Sequence, residues 1–196
     1  GVSLKNLFSD FLRENRTRIL LVLFLGFIIY TSSLTNSAVS DDKPLMEILK
    51  GGGYLAANLK EPVNAIINSL TYTINYFTDG TNPLGYHLGN IVLHLFVSLA
   101  IYFFLYLITA RRVAFLAALI FSVATIHSEP VIWISGRHYI LYSFFAILTL
   151  ISYVYYTENK DRPAYYFCAI ALFVASVYSF PEQAIVLPLL LPLVDT

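Results

Sequence analysis

The stretch LGNIVLHLFVSLAIYFFLYLI, Leu88–Ile108, decides the fold class. It carries no Asp, Glu, Lys or Arg, and it stops at Thr109-Ala110-Arg111-Arg112. A helix of about 20 apolar residues, rising roughly 1.5 Å each, spans the roughly 30 Å hydrocarbon core of a bilayer. Similar runs lie on either side. His138–Tyr156 is closed by Thr157-Glu158-Asn159-Lys160-Asp161-Arg162-Pro163. Val113–Ile126, Ala164–Ser179 and Ala184–Val194 are shorter, and Ile19–Tyr30 needs its Thr and Ser flanks to reach across.

Composition agrees. Hydrophobic residues make up 58% of 196, charged residues 12%, and the mean hydropathy is +0.69. A soluble domain runs nearer 45–50% apolar and about 25% charged. This excludes a water-soluble domain and a disordered chain. A nucleic-acid binder is excluded as well, because 12 Lys+Arg balance 12 Asp+Glu and no basic surplus is left. The 15 tyrosines suit the water interface of a membrane. A single cysteine, Cys168, rules out an internal disulfide and a Cys-based metal site. The expected fold is an all-α integral membrane protein, a multi-pass helical bundle forming one transmembrane domain over 1–196.

The spans are expected near 18–34, 88–108, 113–127, 138–156, 164–179 and 184–194. A leader over 1–18, with Leu4, Leu7, Phe8, Phe11 and Leu12 on one side, is expected to lie along the cytoplasmic surface. Lys5, Arg13, Arg16 and Arg18, a short apolar core and Ala38-Val39-Ser40 also fit a signal peptide; the segment is read as an uncleaved first helix. Alternating the passes puts the leader's basic residues with Arg111, Arg112, Lys160 and Arg162, opposite Lys43, Lys50, Lys60 and Arg137. The richer side is cytoplasmic by the positive-inside rule. The loop 35–87 is then extracytoplasmic, and the bacterial inner membrane is favoured over the endoplasmic-reticulum membrane.

That loop carries its own helix, expected over 62–77 and opened by Pro62. Val63, Ile66, Ile67, Leu70 and Ile74 recur on one face and Asn64, Asn68, Thr71 and Asn75 fall largely on the other. It should lie at the interface through apolar contact. Gly51-Gly52-Gly53 lacks the Lys-Ser/Thr of a phosphate loop and reads as a hinge.

Three polar features fall on the predicted outer side. Asp41-Asp42 follows the first span; adjacent carboxylates repel, and one of them, ionised, can take a proton from an attacking hydroxyl. The plain alternative is a solvated helix stop. His127-Ser128-Glu129-Pro130, Trp133 and Gly136-Arg137-His138 follow a span of only 14 residues, about 21 Å at 1.5 Å per residue. Ionisable groups at such depth are paired or functional. Glu129 and Arg137 are candidates to pair, or Arg137 can hold a phosphate with its forked donors. His87, Asn90 and His94 sit at i, i+3 and i+7 and should face the bundle interior. They could serve a zinc site, but no HExxH or Cys/His cluster accompanies them, and interhelical hydrogen bonds are the simpler role. A divalent metal is left open.

The order of these features resembles a known family. Asn82-Pro83-Leu84-Gly85-Tyr86-His87-Leu88-Gly89-Asn90-Ile91-Val92-Leu93-His94 resembles the entry to the second span of the transmembrane-and-tetratricopeptide-repeat (TMTC-type) O-mannosyltransferases and their bacterial relatives. Phe121–Leu141 and Ser179–Leu193 resemble two further segments, and Asp41-Asp42 stands where that family carries its acidic pair. The resemblance implies a C-type glycosyltransferase fold with a helical first outer loop. It implies transfer of a sugar, mannose included, from a polyprenyl-phosphate donor to a protein or glycan hydroxyl on the extracytoplasmic side, with inversion. Asp41 or Asp42 would be the base. Arg137, His127, Glu129 and His138 would face donor phosphate or acceptor, with Glu182 a further candidate. Three departures remove positive or proton-carrying groups: Glu61-Pro62-Val63, Ala124-Thr125 and Phe180-Pro181-Glu182 replace Arg-Pro-Leu, His-Pro and Ser-Lys-Glu. The alternative is a non-catalytic subunit of the same fold within a membrane complex.

Overall fold

The computed structural model describes residues 3–51 and 66–190. Along the chain run α1 (Leu4–Glu14), α2 (Arg16–Tyr30), α3 (Asp42–Lys50), α4 (Ile66–Asp79), α5 (Pro83–Ile108), α6 (Arg111–Val123), α7 (Ser128–Ile132), α8 (Arg137–Glu158), α9 (Ala164–Ser179), α10 (Pro181–Ala184) and α11 (Leu187–Leu190). Short 3₁₀ turns occupy Thr31–Thr35, Thr125–His127 and Ile134–Gly136. No strand occurs among the described residues, so the protein is an all-α bundle.

Three helices are long and apolar enough to cross a membrane: Arg16–Thr35, Pro83–Ile108 and Ile134–Glu158. A fourth crossing results if Arg111–Val123 and Thr125–Ile132, bent by 48°, form one span. The helix expected over 113–127 therefore ends early, at Val123. α9 has 16 residues, and the span expected over 184–194 is described only to Leu190, as two short helices; residues 191–194 lie outside the described residues. So do Pro62–Ala65 of the loop helix, Gly52, Gly53 and Glu61.

α5 is the axis. α2, α6 and α8 pack around it, and α9 packs on α8. One core joins Val22, Ala100, Tyr102, Phe103, Ala118, Leu150 and Ile151. Close approach depends on small residues. Ala114 and Ala118, four apart on α6, are fully buried, and a Cβ on Gly26 would stand 2.9 Å from Leu95 and 3.1 Å from Ser122. Without a hydrophobic gain over lipid, such contacts are what hold membrane helices together. α1 lies against this core through Phe11, which is 0% exposed, and through Asn15, whose Oδ1 accepts from Tyr102 Oη at 2.9 Å.

The bend after α6 releases backbone carbonyls from the helical ladder, and unpaired carbonyls in a bundle are costly. Ala124 is extended at φ −67°, ψ 120°. Its carbonyl accepts from Tyr30 Oη at 2.8 Å, and the Ser122 carbonyl accepts from His94 Nε2 at 3.1 Å. Further on, Asn90 Nδ2 donates to the carbonyls of Trp133 and Ile134 at 3.0 and 3.3 Å. Tyr72 Oη donates to Ile134 as well, at 2.8 Å. His87, Asn90 and His94 are at most 2% exposed, facing protein as expected.

α4 turns its polar face inward. Asn68, Ser69 and Tyr72 are buried, whereas Leu70, Ile74 and Phe77 are 48%, 63% and 82% exposed. An inside-out helix of this kind suits an element whose outer side meets lipid rather than water.

Candidate active site

Three chain segments meet at one end of the bundle: the turn Val39–Asp42 with α3, the bent segment 124–137, and the turn between α9 and α10. Asn68 on α4 reaches the last of these, donating to the Ser179 carbonyl at 3.2 Å.

The two adjacent carboxylates have separate environments. Asp42 is 0% exposed. Its Oδ1 accepts from the Ser135 amide at 2.9 Å and the Ser135 hydroxyl at 2.7 Å, and its Oδ2 accepts from the Val39 amide at 3.3 Å. It therefore ties the outer turn to the 3₁₀ turn Ile134–Gly136. Asp41 is exposed and accepts only from the neighbouring Ser40 hydroxyl, at 3.3 Å. Ser40, with φ 46°, is in the left-handed region that non-glycine residues rarely adopt. That kink separates the two carboxylates: Asp42 inward, Asp41 to a cavity.

The cavity is about 400 Å³ and is lined by Asp41, Ser135, His138, Phe180 and Glu182, with Tyr72 and Asn68 from α4. His138 Nδ1 lies 2.8 Å from the Ser135 carbonyl, so that nitrogen donates and Nε2 is left for the cavity. Its ring packs on Tyr139 and Phe180, at 4.1 and 4.9 Å between centroids. Asp41, His138 and Glu182, three of the site residues expected from sequence, thus share one cavity.

Arg137 and Glu129 do not pair, a correction to the expected contact. Among the described residues no ion pair joins them. Arg137 is 1% exposed, and its guanidinium is held by neutral groups. Nε donates to Asn90 Oδ1 at 2.7 Å, Nη1 to Asn75 Oδ1 at 2.6 Å and Nη2 to the Tyr86 carbonyl at 3.0 Å. The ring of Tyr72 lies 4.5 Å away. Arg137 thereby locks α4 to α5 beneath the cavity. A Cβ on Gly89 would stand 3.0 Å from Nη2 and 3.1 Å from Asn75 Oδ1, so only glycine leaves room there. Glu129 is exposed beside a second cavity that His87 also lines. His127 packs among Phe121 and His94, with centroids at 4.2 and 5.6 Å. Among the described residues, no three His, Cys, Asp or Glu side chains group closely enough to hold a metal ion.

Sequence reasoning missed Ser135, Asn75 and Tyr72. Ser135 lies inside the quoted Trp133…Gly136 stretch but carries no pattern of its own. Asn75 was read only as part of a polar face.

Fold and site together describe an integral membrane protein, an all-α bundle with a polar cavity at one end. Comparison with known proteins narrows this. The chain is 29% identical over 143 residues to protein O-mannosyl-transferase TMTC3 of Mus musculus, covering 70% of this chain and 15% of that protein. It is 26% identical over 163 residues to protein O-mannosyl-transferase F38B6.6 of Caenorhabditis elegans, covering 73% and 23%. It is 37% identical over 95 residues to protein O-mannosyl-transferase TMTC1 of Homo sapiens, covering 47% and 10%. The chain is related to the TMTC-type O-mannosyltransferases, and it spans less than a quarter of the length of these relatives. No family model and no solved structure matches it.

Proposed function

We propose that the protein is an integral membrane glycosyltransferase that moves a mannosyl group from a polyprenyl-phosphate donor to a hydroxyl acceptor, protein or glycan, on the extracytoplasmic side, with Asp41 as the base. The observation that carries this reading is the division at the acidic pair. Asp42 has its oxygens committed to Ser135 and Val39, while Asp41 lines the cavity with His138 and Glu182. The kinship to proteins named O-mannosyl-transferases supplies the sugar.

In the proposed step the acceptor oxygen attacks the anomeric carbon of the donor. The bond from that carbon to the phosphate oxygen breaks, and the polyprenyl phosphate leaves with the electron pair. The acceptor proton passes to the Asp41 carboxylate. One displacement inverts the anomeric centre. A phosphate is a good leaving group, so the carboxylic acid that protonates the leaving group in a glycosidase is not required. His138 Nε2 is the group nearest to hand for the departing phosphate. Arg137 acts as a positioning residue, holding α4 and α5 so that Tyr72 and Asn68 shape the cavity wall.

The test is mannosyl transfer from a short-chain polyprenyl-phosphate mannose by purified protein in lipid, with Asp41→Asn and Asp42→Asn. Asn keeps the size of Asp but takes no proton at neutral pH. Asp41→Asn should lower turnover by about 10²–10⁴-fold with unchanged thermal stability. Undiminished transfer by Asp41→Asn removes the base assignment. Absence of transfer in the wild-type protein, together with assembly defects in Arg137 variants, favours a non-catalytic membrane subunit.

A further inference from the structure

His87 is the member of the interior stripe that the bent backbone does not use. Its side chain is 1% exposed, and neither ring nitrogen makes a hydrogen bond. The carbonyls of Asn36 and Ile132 face the ring without reaching bonding geometry. The Trp133 indole Nε1 is likewise sealed from solvent and has no partner. Each such group costs about 1–3 kcal/mol of lost hydration. Both side chains line a single cavity of about 660 Å³, across the Val39–Ser40 backbone from the Asp41 cavity.

The rest of that wall defines what it can take. Ser40 and Ser128 bring hydroxyls and Glu129 a carboxylate at the rim, with no lysine or arginine among the lining residues. An anion would find no cation there, and a purely apolar ligand would leave His87 and Trp133 unpaired. Alternating donors and acceptors beside an indole match a neutral ring bearing several hydroxyls, whose C–H face packs on an aromatic surface. We propose that this cavity binds a hexose unit, with His87 and the Trp133 indole N–H bonding its hydroxyls and Glu129 at the rim. The choice of mannose as the first probe rests on the transferase reading; the cavity itself does not.

Trp133 is the only tryptophan of the chain, so its emission reports on this cavity directly. The protein in lipid vesicles is titrated with methyl α-mannoside, with short-chain polyprenyl-phosphate mannose, and with the same polyprenyl phosphate lacking sugar. A saturable change in Trp133 emission with either sugar-bearing probe, and none with the sugar-free phosphate, is the expected result. A response to the lipid-linked sugar alone assigns the hexose to the donor; a response to methyl α-mannoside as well assigns a site that reads the sugar by itself. His87→Phe keeps the ring volume and removes both nitrogens, and should weaken binding about tenfold with the starting emission unchanged. If that variant does not fold, Glu129→Gln at the rim should weaken the same response. No saturable change, an equal response to sugar-free phosphate, or undiminished binding in the variant that folds overturns the proposal. Transfer activity is read separately: sugar binding that persists while Asp41→Asn still transfers sinks the base assignment and leaves this cavity standing, and the reverse result does the opposite.

Discussion

Asp41 and Asp42 are chemically identical neighbours with opposite duties, and one torsion separates them. Ser40 at φ 46° turns the chain so that Asp42 meets Ser135 and Asp41 does not. Hydrogen bonds to a charged acceptor are worth about 1.5–3 kcal/mol, and stranding buried donors costs more. Asp42→Ala should therefore destabilise the protein by about 2–4 kcal/mol, read as a lower melting temperature in detergent. Asp41→Ala should leave the melting temperature unchanged while removing transfer. Equal stability losses in the two variants would mean that the pair is merely structural. Tyr30 is a second residue whose role follows from a single bond. Tyr30→Phe leaves the Ala124 carbonyl without its partner, and should cost about 1–3 kcal/mol with no change in helix content by circular dichroism.

At the level of elements, the junction of α4 with α5 carries the cavity wall. Gly89 lies under the guanidinium of Arg137, and a Cβ there would press on Nη2 and on Asn75 Oδ1. Both are held on more than one side, so neither can retreat without losing a bond. Gly89→Ala should cost about 1–3 kcal/mol, as overpacking does, and should expose α4 to limited proteolysis before the rest of the bundle melts. If Gly89→Ala melts as the wild type does, the guanidinium network is looser than its distances imply. The 3.6-residue pattern of α4 was legible in Ile66, Leu70 and Ile74, and so was the polarity of its other face. That the polar face is the buried one was not legible, because the periodicity of a helix is the same whether water or lipid lies outside.

For the molecule as a whole, the two ends of the bundle differ in charge. Arg13, Arg16, Arg18, Arg111 and Arg112 gather at one end around a cleft of about 540 Å³, and the acidic pair, His138 and Glu182 lie at the other. If the basic end is cytoplasmic, labels placed at the two ends will react from opposite sides. Cys168 is the only cysteine, so in a Cys168→Ser background Ser37→Cys should be labelled by a membrane-impermeant maleimide added outside, and Thr109→Cys only after permeabilisation. The reversed pattern would invert the topology and move the site to the cytoplasmic face.

From sequence alone came the class of fold, the order of the main apolar helices and the kinship, since each depends on local composition or on motifs contiguous in the chain. Leu88–Ile108 is a spanning helix because every turn of it is apolar, whatever it packs against. Tertiary structure decided the rest. It assigned Arg137 to Asn75, Asn90 and Tyr86 instead of Glu129, because those acceptors come from 47 to 62 residues away and meet it only when α4 and α5 converge. It also separated Asp41 from Asp42. Which of two adjacent carboxylates is buried depends on where the backbone turns and on what stands opposite, and Ser135, 93 residues further on, is beyond the reach of any local pattern.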